Sequence, residues 1–150
     1  MDKIIYIDIN QAIKTHRMTI EKSGGGVLGQ KDIGILDGVL CHIQNDDYYP
    51  NFEDKLTHLF WSVCKFHCFQ DGNKRLALTL CTQFLLMNGY MFIASDFISK
   101  FENISFHVAS GAIDKELLHE ILESALNGDY DYKEEIKLKI FNAISNTNDN

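Results

Sequence analysis

A chain of 150 residues with 45% hydrophobic and 23% charged residues is most simply one domain, long enough to bury a proper core. Its formal charge of −7 and pI near 5.2 speak against a nucleic-acid partner, since such binders present a basic face. One proline and ten glycines leave little room for linkers or low-complexity segments.

The N-terminal "MDKIIYIDIN" is only briefly apolar, carries an acid on both sides, and does not read as a signal peptide. Asp8 is placed to cap a helix running to about residue 22, with Ile9, Ala12, Ile13 and Ile20 roughly on one face. "SGGGVLGQKDIG" breaks regularity and suits a loop or a short hairpin. A helix over 35–44 follows, with Leu36, Val39, Leu40 and Ile43 at helical spacing, and then the polar loop "NDDYYPN".

Residues 52–66 give a strong amphipathic pattern in Phe52, Leu56, Leu59, Phe60, Val63 and Phe66. The next helix, over 74–88, is apolar on nearly every face and should therefore be the central one, wrapped by the others. It is interrupted by Thr79, Thr82 and Gln83 and falls short of a membrane span. Gly89 stops it. "YMFIA" is expected to be extended, with Ser95 capping a helix over 96–110 and Asp114 capping another that ends at Asn127 and Gly128. A last helix spans 133–145 before the polar tail "NTNDN" frays. No internal repeat is present. The fold class is mainly α, a single domain around a buried central helix.

"GGGVLG" (24–29) matches the dinucleotide fingerprint in letters only. No strand precedes it, no βαβ unit surrounds it, and Gln30 and Lys31 stand where a Walker loop needs Lys and Ser or Thr. "CKFHC" sets Cys64, His67 and Cys68 one helical turn apart, and Cys81 or His58 could complete a zinc site. A second spaced ligand pair is missing, however, so small buried thiols are the better reading. Cys41, Cys64, Cys68 and Cys81 fall in helices or at their ends, which points to reduced thiols and a cytoplasmic protein. His16, His42, His58, His107 and His119 are read as surface or internally satisfied histidines.

"KFHCFQDGNKRLAL" (65–78) is different. Asp71, Gly72 and Asn73 form turns, and a helix begins at Lys74. A helix N-terminus offers unpaired backbone N–H groups and a positive dipole end, which together bind phosphate. Gly72 allows close backbone approach, and Asn73 can cap the helix and reach a phosphate oxygen. Lys74 and Arg75 in the first turn have the wrong sign for helix stability, so their presence suggests function. Asp71 is a hard oxygen ligand for magnesium, and His67 can take a proton near neutral pH. Base, metal ligand and anion cradle together describe phosphoryl or nucleotidyl transfer to a hydroxyl.

"HCFQDGNKR" (67–75) resembles the Fic-family motif H-P-F-x-D/E-G-N-G/K-R, and is closest to that of the death-on-curing (Doc) branch, H-x-F-x-D-A/G-N-K-R-T-A-L. "LALTLCTQFLLMNGY" resembles the helix that follows it, and "GGVLGQKDIGILDGVL" resembles the region carrying the target-docking flap. The likeness spans about residues 8–125. It implies a Fic-type helical domain with a short β-hairpin flap, using ATP and Mg2+ to modify a Ser, Thr or Tyr hydroxyl of another protein. His67 would be the general base, Phe69 the buried anchor of the loop and Asp71 the magnesium ligand. Gly72, Asn73, Lys74 and Arg75 would hold the phosphates, with Lys65 a further contact.

Two departures from the AMP-transferring branch set the preferred reaction. Lys74 stands where that branch has glycine, and Leu78 where it has a second arginine. The Doc arrangement, with ATP reversed and the γ-phosphate against the acceptor, then favours phosphoryl transfer over AMPylation. The alternatives are AMP transfer by the same site and a non-catalytic interaction module that keeps the fold. The family's inhibitory S/T-x-x-x-E-G/N motif is missing, "SKFEN" (99–103) having the wrong spacing. A separate antitoxin-like regulator, or a chain without self-inhibition, would account for that. No membrane partner is expected.

Overall fold

Asp8 and Gln11 start the first helix by a reciprocal cap. The Asp8 carboxylate accepts from the Gln11 N–H at 2.8 Å, and the Gln11 side chain accepts from the Asp8 N–H at 2.9 Å. The computed structural model describes residues 3–22, 33–66, 72–129 and 132–148. In chain order these form α1 (Ile9–Lys22), α2 (Ile33–His42), α3 (Phe52–Phe66), α4 (Asn73–Met87), α5 (Met91–Ser110), α6 (Lys115–Leu126) and α7 (Glu134–Asn148). There is no strand among the described residues. Of the expected loop or hairpin over 23–34 and the flap-like region over 25–40, residues up to 32 lie outside the described ones, as does the "GGGVLG" segment, while residues from Ile33 on are helical, in α2.

The mainly α expectation holds, and α4 lies at the centre against α1, α3 and α5. Its Leu76, Ala77, Leu80, Cys81, Phe84 and Leu85 are completely buried. α3 shares that centre by packing on α2, α4, α5 and α6, with Leu59, Phe60 and Val63 inaccessible to solvent. Phe60, Phe97 and Phe101 interlock across α3 and α5, the last two stacked at 4.5 Å. Two apolar side chains depart from the periodic reading, because Phe66 and Leu86 are exposed at the ends of their helices.

The segment "YMFIA" is corrected. It is not extended and Ser95 caps nothing; α5 begins at Met91, and the Ser95 hydroxyl donates to the Phe92 carbonyl inside it. Gly89 with φ 86 turns the chain, and the Tyr90 N–H returns to the Leu85 carbonyl at 2.9 Å. Ile93, Ala94, Phe97 and Phe101 then continue one buried helical face. α2 begins and ends two residues earlier than 35–44, and α7 runs on to Asn148, past the expected fray point. Asp114 caps α6 as expected, accepting from the Leu117 N–H.

Residues 3–7 are tied to the far end of α4 by one side chain. Asn88 Oδ1 accepts from the Ile5 N–H at 2.8 Å, while its Nδ2 donates to the Ile5 carbonyl at 2.9 Å. A fully buried Lys55 on α3 donates to the Ile43 carbonyl and to Asp46, both at 2.8 Å. No helix of the described residues is long and apolar enough to cross a membrane.

Candidate functional site at the N-terminus of α4

α3 ends in Lys65 and Phe66, and Gly72 stands immediately before the first residue of α4 with φ 79 and ψ 14. That left-handed conformation is cheap only for glycine. Space is tight as well, because a Cβ here would lie 2.8 Å from the terminal methyl Ile20 Cδ1, which would have to shift, and 3.6 Å from His16 Nε2. α1 is thus pressed against the entry to α4. The Gly72 carbonyl accepts from the Leu76 N–H at 2.8 Å and opens the helical ladder.

Gly72, not Asn73, occupies the cap position, and no side-chain cap hydrogen bond is made there. Asn73 is instead the first helical residue and is buried, whereas Lys74 and Arg75 are exposed. The first turn holds no acid. Lys74 and Arg75 thus stand at the positive end of the helix dipole, a setting that favours anions.

Lys65 approaches from α3. Its Nζ is 3.7 Å from where a Cβ on Gly111 would sit, at the C-terminal end of α5, where a cation is favoured by the dipole. Lys65 and Lys74 both act on Cys64: burial pushes that thiol up to about 12, and the two cations pull the other way. Burial likewise raises Cys81 well above the ordinary thiol range. Neither is a ready thiolate, and among the described residues no group of three His, Cys, Asp or Glu side chains could hold a metal.

Two cavities open beside the cations. One of about 320 Å3 is lined by Lys74, Arg75 and Leu78 with Glu102, Ser105 and Phe106 of α5. A second of about 540 Å3 lies between α1, α4 and α5, against Met18, Arg75, Leu78, Ile98 and Glu102. Arg75, Leu78 and Glu102 border both. The walls supplied by α1 and α5 were not legible in the sequence, since nothing local marks Met18 or Glu102 as facing α4.

Of the expected site residues, Gly72, Asn73, Lys74 and Arg75 come together at one helix end, and Lys65 projects from the preceding helix toward the end of α5. His67, Phe69 and Asp71 lie outside the described residues, as does Cys68. The remaining histidines divide. His16 and His58 are buried, and His119 Nε2 lies 2.8 Å from Asp54 Oδ1.

The described residues therefore define a helical domain whose α4 opens with two exposed cations and no acid in its first turn. A model of the Fic/DOC family matches residues 6–85, more than half of the chain. The chain is also 33% identical over 90 residues to a toxin Doc from Mycolicibacterium smegmatis, a match covering 57% of this chain and 69% of that protein. No solved structure matches significantly. The chain belongs to the Fic/DOC family, as the motif at 67–75 implied.

Proposed function

We propose that this protein is a Doc-like transferase that moves the γ-phosphoryl group of Mg-ATP to a Ser, Thr or Tyr hydroxyl of a target protein. The observation that carries this reading is the first turn of α4, which holds no acid and carries Lys74 and Arg75 at the positive end of the helix dipole. Stabilising phosphate charge and holding the acceptor in line are the main demands of phosphoryl transfer. The polyphosphate lies against this helix end, with Arg75 reaching the cavities bordered by Leu78.

In this reading His67 removes the proton of the acceptor hydroxyl as it attacks, and Phe69 anchors the loop beneath it. Asp71 holds magnesium, which when bound would offset phosphate charge. Lys65 is a further phosphate contact. Lys74 in the cradle and the apolar Leu78, instead of glycine and a second arginine, support γ- over α-phosphate transfer. The relative's name supports a toxin role, and with it an antitoxin-like partner that restrains the enzyme.

The test is transfer of label to proteins of a cell extract from ATP labelled at either the α- or the γ-phosphate. Transfer of the γ label alone, lost in His67→Ala, supports the proposal. Transfer of the α label alone makes the protein an AMP transferase. With neither label transferred and any antitoxin removed, the protein is a non-catalytic interaction module.

A further inference from the structure

A second cluster of titratable and aromatic side chains lies where the N-terminal half of α3 meets the start of α6. Lys115 is the first residue of α6, and its Nζ is 2.7 Å from His58 Nδ1. The same nitrogen lies 5.6 Å from the ring centre of Tyr49 and 5.5 Å from that of Trp61. His58 is itself buried, stacked on Tyr49 at 4.6 Å and edge-on to His42 at 5.9 Å. The rings nearest the amine are neutral, and among the described residues the carboxylates of the adjoining cleft, Asp54 and Glu116, form no ion pair with it.

Two features of this setting favour the free amine, against the pull of the Tyr49 and Trp61 faces, which attract the ammonium form. Burial lowers the Lys115 pKa, and a cation in the first turn of a helix meets the positive end of the dipole. Burial is incomplete, because Lys115 also lines a cleft of about 300 Å3 with Tyr48, Thr57 and His119 and with the carboxylates of Asp54 and Glu116. The nitrogen is therefore reachable by a small reagent, and a hydrogen-bond acceptor already touches it.

We infer that Lys115 is a nucleophilic amine whose cleft admits small acyl phosphates, with His58 Nδ1 as the hydrogen-bond acceptor that orients it. The neutral form of the amine attacks the acyl carbon. The amine nitrogen bonds to the acyl carbon while the bond from that carbon to the phosphate oxygen breaks. The nitrogen's proton passes to an oxygen of the departing phosphate, the stronger base, while His58 Nδ1 holds the amine in line. The products are an uncharged amide on Lys115 and inorganic phosphate. The site lies on the opposite half of α3 from Lys65, so it is independent of the transferase reading.

The experiment treats the full folded chain with acetyl phosphate at pH 7 and follows acetylation of each lysine by peptide mass spectrometry. Exposed Lys3, Lys14 and Lys133 serve as references. The expected result is acetylation of Lys115 several-fold faster than at the references, and a several-fold slowing of Lys115 alone in His58→Gln. A Lys115 rate at or below the references overturns the proposal, and an unchanged rate in folded His58→Gln overturns the part given to His58. If that variant does not fold, the pH dependence of the wild-type rate decides. A Lys115 midpoint below those of the references supports the inference, and one at or above them overturns it.

Discussion

Gly72 faces Ile20 Cδ1 so closely that a single added carbon would sit 2.8 Å from it. The contact joins the entry of α4 to the side of α1, and Gly72 is held there at φ 79. Gly72→Ala should therefore lose about 1–2 kcal/mol from the left-handed backbone alone, with the clash adding to it. Urea unfolding measures the loss. Ile20→Ala in the same chain should relieve the clash component and leave the backbone component, so the two costs will not add.

Arg75→Ala should lower transfer on the order of a hundredfold, the usual consequence of removing one donor to developing charge. Arg75 is exposed, so its loss should leave the thermal midpoint nearly unchanged. Lys74→Gly combined with Leu78→Arg restores the features of the AMP-transferring branch. In that double variant the α label should begin to appear on target protein, as read by labelled ATP. A double variant that still transfers only the γ label would show that these positions do not orient the nucleotide.

His58 gives the folded protein an acid-sensitive point. Burial first, and then the charges of Lys115 and His42, bring its pKa from 6.5 down to about 4. Below pH 6.5 the unfolded chain takes up a proton that the folded chain refuses, so stability falls with pH until about pH 4. The contribution is fully present above pH 6.5. Replacing the ring by His58→Gln should flatten the dependence of the thermal midpoint across that window. A midpoint that falls as steeply in the variant would assign the acid sensitivity to other groups.

Lys55 lies completely buried, yet Asp46, its charged partner, is mostly exposed. The ion pair should accordingly contribute little. The Ile43 carbonyl is the costlier partner to abandon, because it would be left without Lys55 beside the core. Asp46→Asn should change stability by less than about 1 kcal/mol, whereas Lys55→Met should cost about 1–3 kcal/mol despite keeping the side-chain length. Equal losses in the two variants, by denaturant unfolding, would refute that division.

Sequence alone determined the helices, the caps at Asp8 and Asp114, and the cationic first turn of α4. Each depends on residues within a few positions of one another, through the periodicity of a buried face or a side chain returning to its own backbone. The family, too, was legible there, in the motif at 67–75. "YMFIA" misled because its apolar run suits a strand as well as a helix, and only burial of Ile93, Ala94 and Phe97 in α5 decides between them. Tertiary structure alone decided which side chains meet across the chain. It set Ile20 against Gly72, put Glu102 on the wall facing Arg75, and brought Lys115 to His58, 57 residues away in sequence. Those contacts follow from how helices pack, and close packing places residues that no local rule can pair.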